Sequence, residues 1–180
     1  DVVFNSLTCM TDSNGLCDIQ AQSVKSGTYL AHVTINDGAL ANSPINFDFV
    51  AGAPDLSKSV VSMQTNGAVA DGVALNVIEA SILDQYSNPV IGKTVTFTAT
   101  PGVNFGLGVG LARTCDTGNN GTCTMSASSD IPDVYLTAVT ITEGALTGSE
   151  INYEFIVGDV DANLSEVVAS PTSVDADGFT

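Results

Sequence analysis

The chain is nearly devoid of positive charge. Four Lys and Arg stand against 20 Asp and Glu in 180 residues, a formal net charge of −16. Nucleic acids are held by cationic side chains that displace condensed counterions, so this balance excludes them as partners. Anionic membrane surfaces are disfavoured by the same sign. Trp is absent and His32 is the only histidine, which leaves no aromatic platform for a glycan and little material for Ser-His-Asp or Cys-His catalysis. No apolar run reaches the ~18 residues of a membrane-spanning helix. The opening "DVVFNSLTCMTDSNG" also lacks the basic start and apolar stretch of a signal peptide.

Cysteine is scarce too, and its four copies are spent on one motif used twice. "TCMTDSNGLC" (Thr8–Cys17) and "TCDTGNNGTC" (Thr114–Cys123) share Thr-Cys, Asn-Gly and the spacing to the second Cys. Cys9 and Cys115 are 106 positions apart, as are Cys17 and Cys123. The same offset carries Tyr29-Leu30 onto Tyr135-Leu136, "VTI" at Val33 onto Val139, "GAL" at Gly38 onto Gly144, and Phe49 onto Phe155. It also carries Gly52 onto Gly158 and "ADG" at Ala70 onto Ala176, with a two-residue slip where "DLSKSVVS" meets "NLSEVVAS". A recurring period of this kind marks a repeat architecture. Residues 1–52 read as the back half of one unit, 53–158 as a complete unit, and 159–180 as the opening of the next. The half-unit at 1–52 should fold poorly alone.

The unit reads as all-β. Runs rich in Val, Ile, Thr, Phe and Tyr alternate with Gly, Asn, Pro and Asp clusters every 8 to 12 residues, the rhythm of a sandwich or barrel. Strands are expected near Ser59–Met63, Ala74–Leu83, Thr94–Ala99, Thr114–Asp116, Gly121–Ser126, Val134–Ile141 and Ser149–Val157. In "KTVTFTAT", Val95, Phe97 and Ala99 should face the core; in "INYEFIV", Ile151, Tyr153 and Phe155 should share a face. "DQYSNPVIG" is a turn whose Pro fixes one torsion. Around Asn119 the flanks pair off until Cys115 opposes Cys123 across adjacent strands, so disulfides Cys9–Cys17 and Cys115–Cys123 are expected, implying an oxidising compartment. The competing reading is a metal site on two or four of these cysteines.

Candidate chemistry is sparse. His32 lies in "YLAHVTI" where the other copy has Ala138, which favours an exposed strand position. "NFGLGVGLA" lacks the basic residue of a phosphate loop. Lys25 matches Ile131, which argues against a Lys–Asn cross-link. Tyr29 and Tyr135 open the strand that holds the tyrosine corner of an immunoglobulin sandwich, although core packing accounts for them equally. These readings give no catalytic residue and no enzymatic role. Acidic pairs remain: Asp159 and Asp161 in "GDVDANLS" have the spacing at which loop carboxylates converge on calcium, and "DADG" at Asp175 is another such cluster. Solvated surface acids are the alternative. No cofactor beyond that calcium is expected.

"ADG" (Ala70–Gly72), an alternating strand ending in Asp84, "NPV" (Asn88–Val90) and "VTF" (Val95–Phe97) together resemble the bacterial Ig-like domain of the invasin/intimin type. "T-x-x-N-G" at Thr117–Gly121, followed by a strand and a serine-rich loop, belongs to the same pattern. The cysteine pair around the turn departs from it. The resemblance implies tandem Ig-like β-sandwiches forming a stalk on a bacterial surface protein, with neighbouring repeats as partners and an extracellular location. A second expectation is a self-assembling filament or sheath, suited by outward apolar residues such as Val77 and Leu83 opposite Ile78, Ala80 and Ile82, and by a positive average hydropathy. A receptor- or glycan-binding module is the third.

Overall fold

The computed structural model describes residues 2–36, 38–106, 111–168, 170 and 173, and every regular element among them is a strand. The N-terminal segment holds β1 (Val3–Phe4), β2 (Ala21–Gln22), β3 (Gly27–Ala31), β4 (Thr34–Ile35), β5 (Gly38–Ala39) and β6 (Ile45–Phe49). A two-sheet unit follows with β7 (Val60–Thr65), β8 (Ala68–Val69), β9 (Asn76–Ser81), β10 (Thr94–Ala99), β11 (Asn104–Phe105), β12 (Ala112–Asp116), β13 (Thr122–Ser128), β14 (Asp133–Ile141), β15 (Gly144–Ala145) and β16 (Ile151–Ile156).

Two sheets form the unit. One runs β12-β10-β14-β16-β8, with β15 paired to β14; the other runs β11-β13-β9-β7. Period-two alternation decides which side chains fill the space between them. Val95, Phe97 and Ala99 of β10 are buried with Val139 and Ile141 of β14 and Tyr153 and Phe155 of β16, against Ile78, Ala80 and Ile82 of the β9 strand and its extension. Each of the seven expected strands is present. The three two-residue strands β8, β11 and β15 were not foreseen, because pairs so short carry no periodicity to read.

Buried polar side chains brace the sandwich, and one of them, Asn76, joins its two sheets. Asn76 is fully buried; its Nδ2 donates to the Glu154 carbonyl at 2.8 Å and its Oδ1 accepts from the Ala68 N–H at 3.1 Å. Thr137 and Tyr153 share a buried hydroxyl–hydroxyl bond of 2.9 Å. The Tyr135 hydroxyl donates four residues back to the Ile131 carbonyl at 3.0 Å, forming a tyrosine corner. Tyr29 does the same to Lys25 at 3.1 Å.

The N-terminal segment shows the same register as the two-sheet unit at the offset seen in sequence. Tyr29 opposes Phe47 and Leu30 opposes Asn46, as Tyr135 opposes Tyr153 and Leu136 opposes Asn152. Thr34 opposes Ala39 as Thr140 opposes Ala145.

The cysteine loop departs from the expected hairpin. β12 pairs with β10, placing Cys115 opposite Val95, while β13 pairs with β9, placing Cys123 opposite Ala80. The two strands lie in different sheets, so the Cys115–Cys123 disulfide (Cα–Cα 6.1 Å) staples sheet to sheet rather than bridging one ladder. Pairing of each flank with a long neighbour wins over pairing of the flanks with each other. Cys9 and Cys17 are bonded at Cα–Cα 5.9 Å, within a stretch that forms no strand between β1 and β2. Both loops nevertheless turn alike: the Asp12 N–H donates to Leu16 and the Gly118 N–H to Thr122, while Gly15 donates to Asp12 and Gly121 to Gly118.

Candidate interface between successive units

A buried polar cluster lies where the N-terminal segment meets the two-sheet unit. "DQYSNP" turns the chain after β9. The Asp84 Oδ1 accepts from the N–H groups of Tyr86 (2.8 Å) and Asn88 (2.9 Å), closing a side-chain-capped turn in which Ser87 takes a positive φ of 63°. That geometry turns the other carboxylate oxygen towards the preceding segment. Asp84 Oδ2 accepts from the Gly52 N–H and from Asn88 Nδ2, both at 2.9 Å. Asn88 completes the clasp: its Nδ2 also donates to the Val24 carbonyl at 2.9 Å, and its Oδ1 accepts from the Ser26 N–H at 3.0 Å.

Asp84 is 2% exposed and Asn88 5%. Burial by itself would raise the Asp84 pKa. Hydrogen bonds from the Asn88 side chain and from the Gly52, Asn88 and Tyr86 N–H groups outweigh it and hold the carboxyl at about 2. A buried carboxylate is thus kept charged by N–H dipoles alone. Around the clasp lies a groove of about 630 Å³, lined in part by Val24, Lys25, Val50, Pro54 and Tyr86.

The connecting strip is also bound down. The Asp55 N–H donates to the Leu83 carbonyl at 2.8 Å, and Pro54 pairs with Asp84 as an isolated bridge. The Asp55 carboxylate accepts from the Ser57 hydroxyl and N–H, which lowers its pKa. Ser59, fully buried, exchanges bonds with both backbone groups of Leu83 through its hydroxyl. Sequence reading missed the clasp. Its signal was an Asp closing a strand with Asn-Pro four residues later, indistinguishable in sequence from any turn.

The other expected site residues are placed as follows. Asp159 and Asp161 are exposed. The Asp161 Oδ1 accepts from the Asn163 N–H at 2.7 Å, as Asp55 does from Ser57, and the Leu164 N–H donates to the Asp161 carbonyl as Lys58 does to Asp55. Asp161 and Asp55, 106 positions apart, thus cap turns of the same kind. Among the described residues no three metal-ligating side chains converge. The cluster at Asp175 lies outside the described residues, as do Leu107–Gly110 of the glycine-rich stretch. His32 is exposed, just past the end of β3. Val77 and Leu83 do face away from Ile78, Ala80 and Ile82 but are half-buried, so they offer no open apolar stripe.

Comparison with solved structures finds the same fold in several bacterial proteins. InvD of Yersinia pseudotuberculosis aligns over 93% of this chain and 50% of that chain, at 20% identity and a TM-score of 0.65. FdeC, an Escherichia coli adhesin, aligns over 74% of this chain and 41% of that chain, at 13% identity and 0.55. Invasin, a bacterial integrin-binding protein, aligns over 87% and 31%, at 21% identity and 0.52. The chain spans half or less of each of these structures. The family model for the bacterial Ig-like domain (group 1) matches residues 58–156, the whole of the two-sheet sandwich. This chain belongs to the bacterial Ig-like domain (group 1) family.

Proposed function

We propose that the chain is a spacer segment of a bacterial surface adhesin-like protein, in which Ig-like units follow one another and hold a distal part away from the cell. The Asp84–Asn88 clasp carries this reading. A turn at the near pole of one unit binds three main-chain groups of the segment before it, at Gly52, Val24 and Ser26. Because it grips backbone, it fixes direction without depending on the neighbour's side chains. Units so joined keep their order and angle, which a spacer needs and a catalyst or flexible tether does not.

On this reading residues 1–52 are the back half of one unit, 53–158 a complete unit and 159–180 the start of another. The shared register of β3–β6 with β14–β16, the matching tyrosine corners and the matching turns at Asp55 and Asp161 support that division. The role is non-enzymatic and extracellular, in keeping with the family and with two disulfides.

Electron microscopy of the native material carrying this sequence tests the proposal. A thread one domain wide projecting from cells supports it. A thick, helically ordered fibre with several chains abreast would replace it with self-assembly, and a compact particle bound to a receptor with recognition. A thread that turns limp in EDTA would assign calcium to the junctions at Asp159 and Asp161.

A further inference from the structure

We infer that the complete unit is built to bear tension along the chain, through a shear clamp between its first and last strands. β7 belongs to one sheet, but after a register shift between Met63 and Thr65 the chain crosses at Asn66-Gly67 and continues as β8 in the other. There it runs parallel to β16, with Ala68 opposite Phe155 and Val69 opposite Ile156, and the Ala70 N–H donates to the Ile156 carbonyl at 2.8 Å. Near the start of the same path Val60 pairs in parallel with Thr147. The Val61 N–H donates to the Thr147 carbonyl at 3.0 Å, the Thr147 N–H to Ser59 at 3.2 Å, and the Thr147 hydroxyl to Leu56 at 2.9 Å.

The crossing itself, where the ladder has a gap, is bridged by a side chain. Asn66 Oδ1 accepts from the Glu154 N–H at 2.9 Å, and Asn76 reaches the Glu154 carbonyl from the other side. Thus the segment 56–70 is tied to 147–156 from one pole of the sandwich to the other.

Direction makes this a clamp. Force enters before Val60 at one pole and leaves after Ile156 at the opposite pole. Two parallel strands pulled this way slide along each other, and their cross-strand bonds are loaded together. An antiparallel pair pulled apart at one end, such as β10 and β12, opens one bond at a time. The topology therefore couples end-to-end force to the strongest available geometry, while leaving other directions weak.

The clamp takes its purpose from the spacer reading but is measured independently of it. In single-molecule pulling of the full chain tethered by its two ends, rupture of 58–156 is recognised by release of about 300 Å of chain. That rupture should need a several-fold higher force than the parting of β10 from β12 when the same chain is tethered at Thr98 and Ala112, which face each other on those strands and release about 40 Å of chain. Asn66 is exposed, and Asn66→Ala should lower the end-to-end force while leaving the Thr98–Ala112 force unchanged. Equal forces in the two geometries, or an Asn66→Ala chain that loses urea resistance with its end-to-end force unmoved, would overturn the inference. A failure of the spacer reading shows up in microscopy, and leaves this ratio of forces where it was.

Discussion

Asn88 donates to Asp84 at 2.9 Å and uses the rest of its amide to hold Val24 and Ser26, so two side chains four residues apart on one turn join two segments of the chain. Neither residue belongs to the hydrophobic core, yet both are buried.

Removing one partner leaves the other's groups unpaired. Asp84→Ala strands the N–H groups of Gly52, Tyr86 and Asn88, a cost of about 2–3 kcal/mol for bonds to a charged acceptor. Asn88→Ala should leave the sandwich at 58–156 folded and free the segment before it. Amide hydrogen exchange at Ser26 and Gly52 should accelerate, while Phe97 and Val139 in the core keep their protection. Unchanged exchange at Ser26 would mean the clasp does not hold the junction.

The junction should be acid-labile. The Asp84 carboxyl titrates at about 2 in the folded chain against an ordinary value of 3.8. A depressed folded pKa gives stability that is complete above the ordinary value and disappears as pH falls through the folded one. Loosening of residues 2–52 is therefore expected between about pH 4 and pH 2, followed through the same two amides. In Asp84→Asn that pH dependence should vanish along with most of the docking.

Reduction should weaken the two-sheet sandwich measurably. The Cys115–Cys123 bond closes a short loop, and chain entropy assigns such a loop roughly 2–3 kcal/mol. A Cys115→Ser, Cys123→Ser chain should show a lower urea midpoint with the same m-value. Since the bond joins the two sheets at one edge, exchange should rise first in β12 and β13.

Gly121 and Gly118 lie in the same loop but should respond differently to Ala. Gly121 has a φ of +73°, and a Cβ there would come within 2.7 Å of the Ile82 carbonyl oxygen and 2.9 Å of Pro89 Cα. Gly118 has no nearer neighbour than 3.6 Å and needs no positive φ. Gly121→Ala should cost about 1–3 kcal/mol through strain and contact, and Gly118→Ala far less. Thermal melting of the two variants side by side separates them.

The family, the all-β class and the core alternation were legible from the sequence because they are local or periodic. Phe97 and Tyr153 are buried for the reason "KTVTFTAT" and "INYEFIV" announce: every second residue of a strand faces the same way. The loops at Cys9–Cys17 and Cys115–Cys123 were legible for a related reason. Asn-Gly sets the turn from within, and both copies bend alike though only one is flanked by paired strands. Tertiary structure alone decided what those strands pair with. It put Cys115 and Cys123 in different sheets and moved the chain from one sheet to the other at Asn66. Above all it made Asp84 and Asn88 a clasp. Their partners in the preceding segment lie more than thirty residues away, and long-range hydrogen bonding leaves no spacing in the sequence from which to read it.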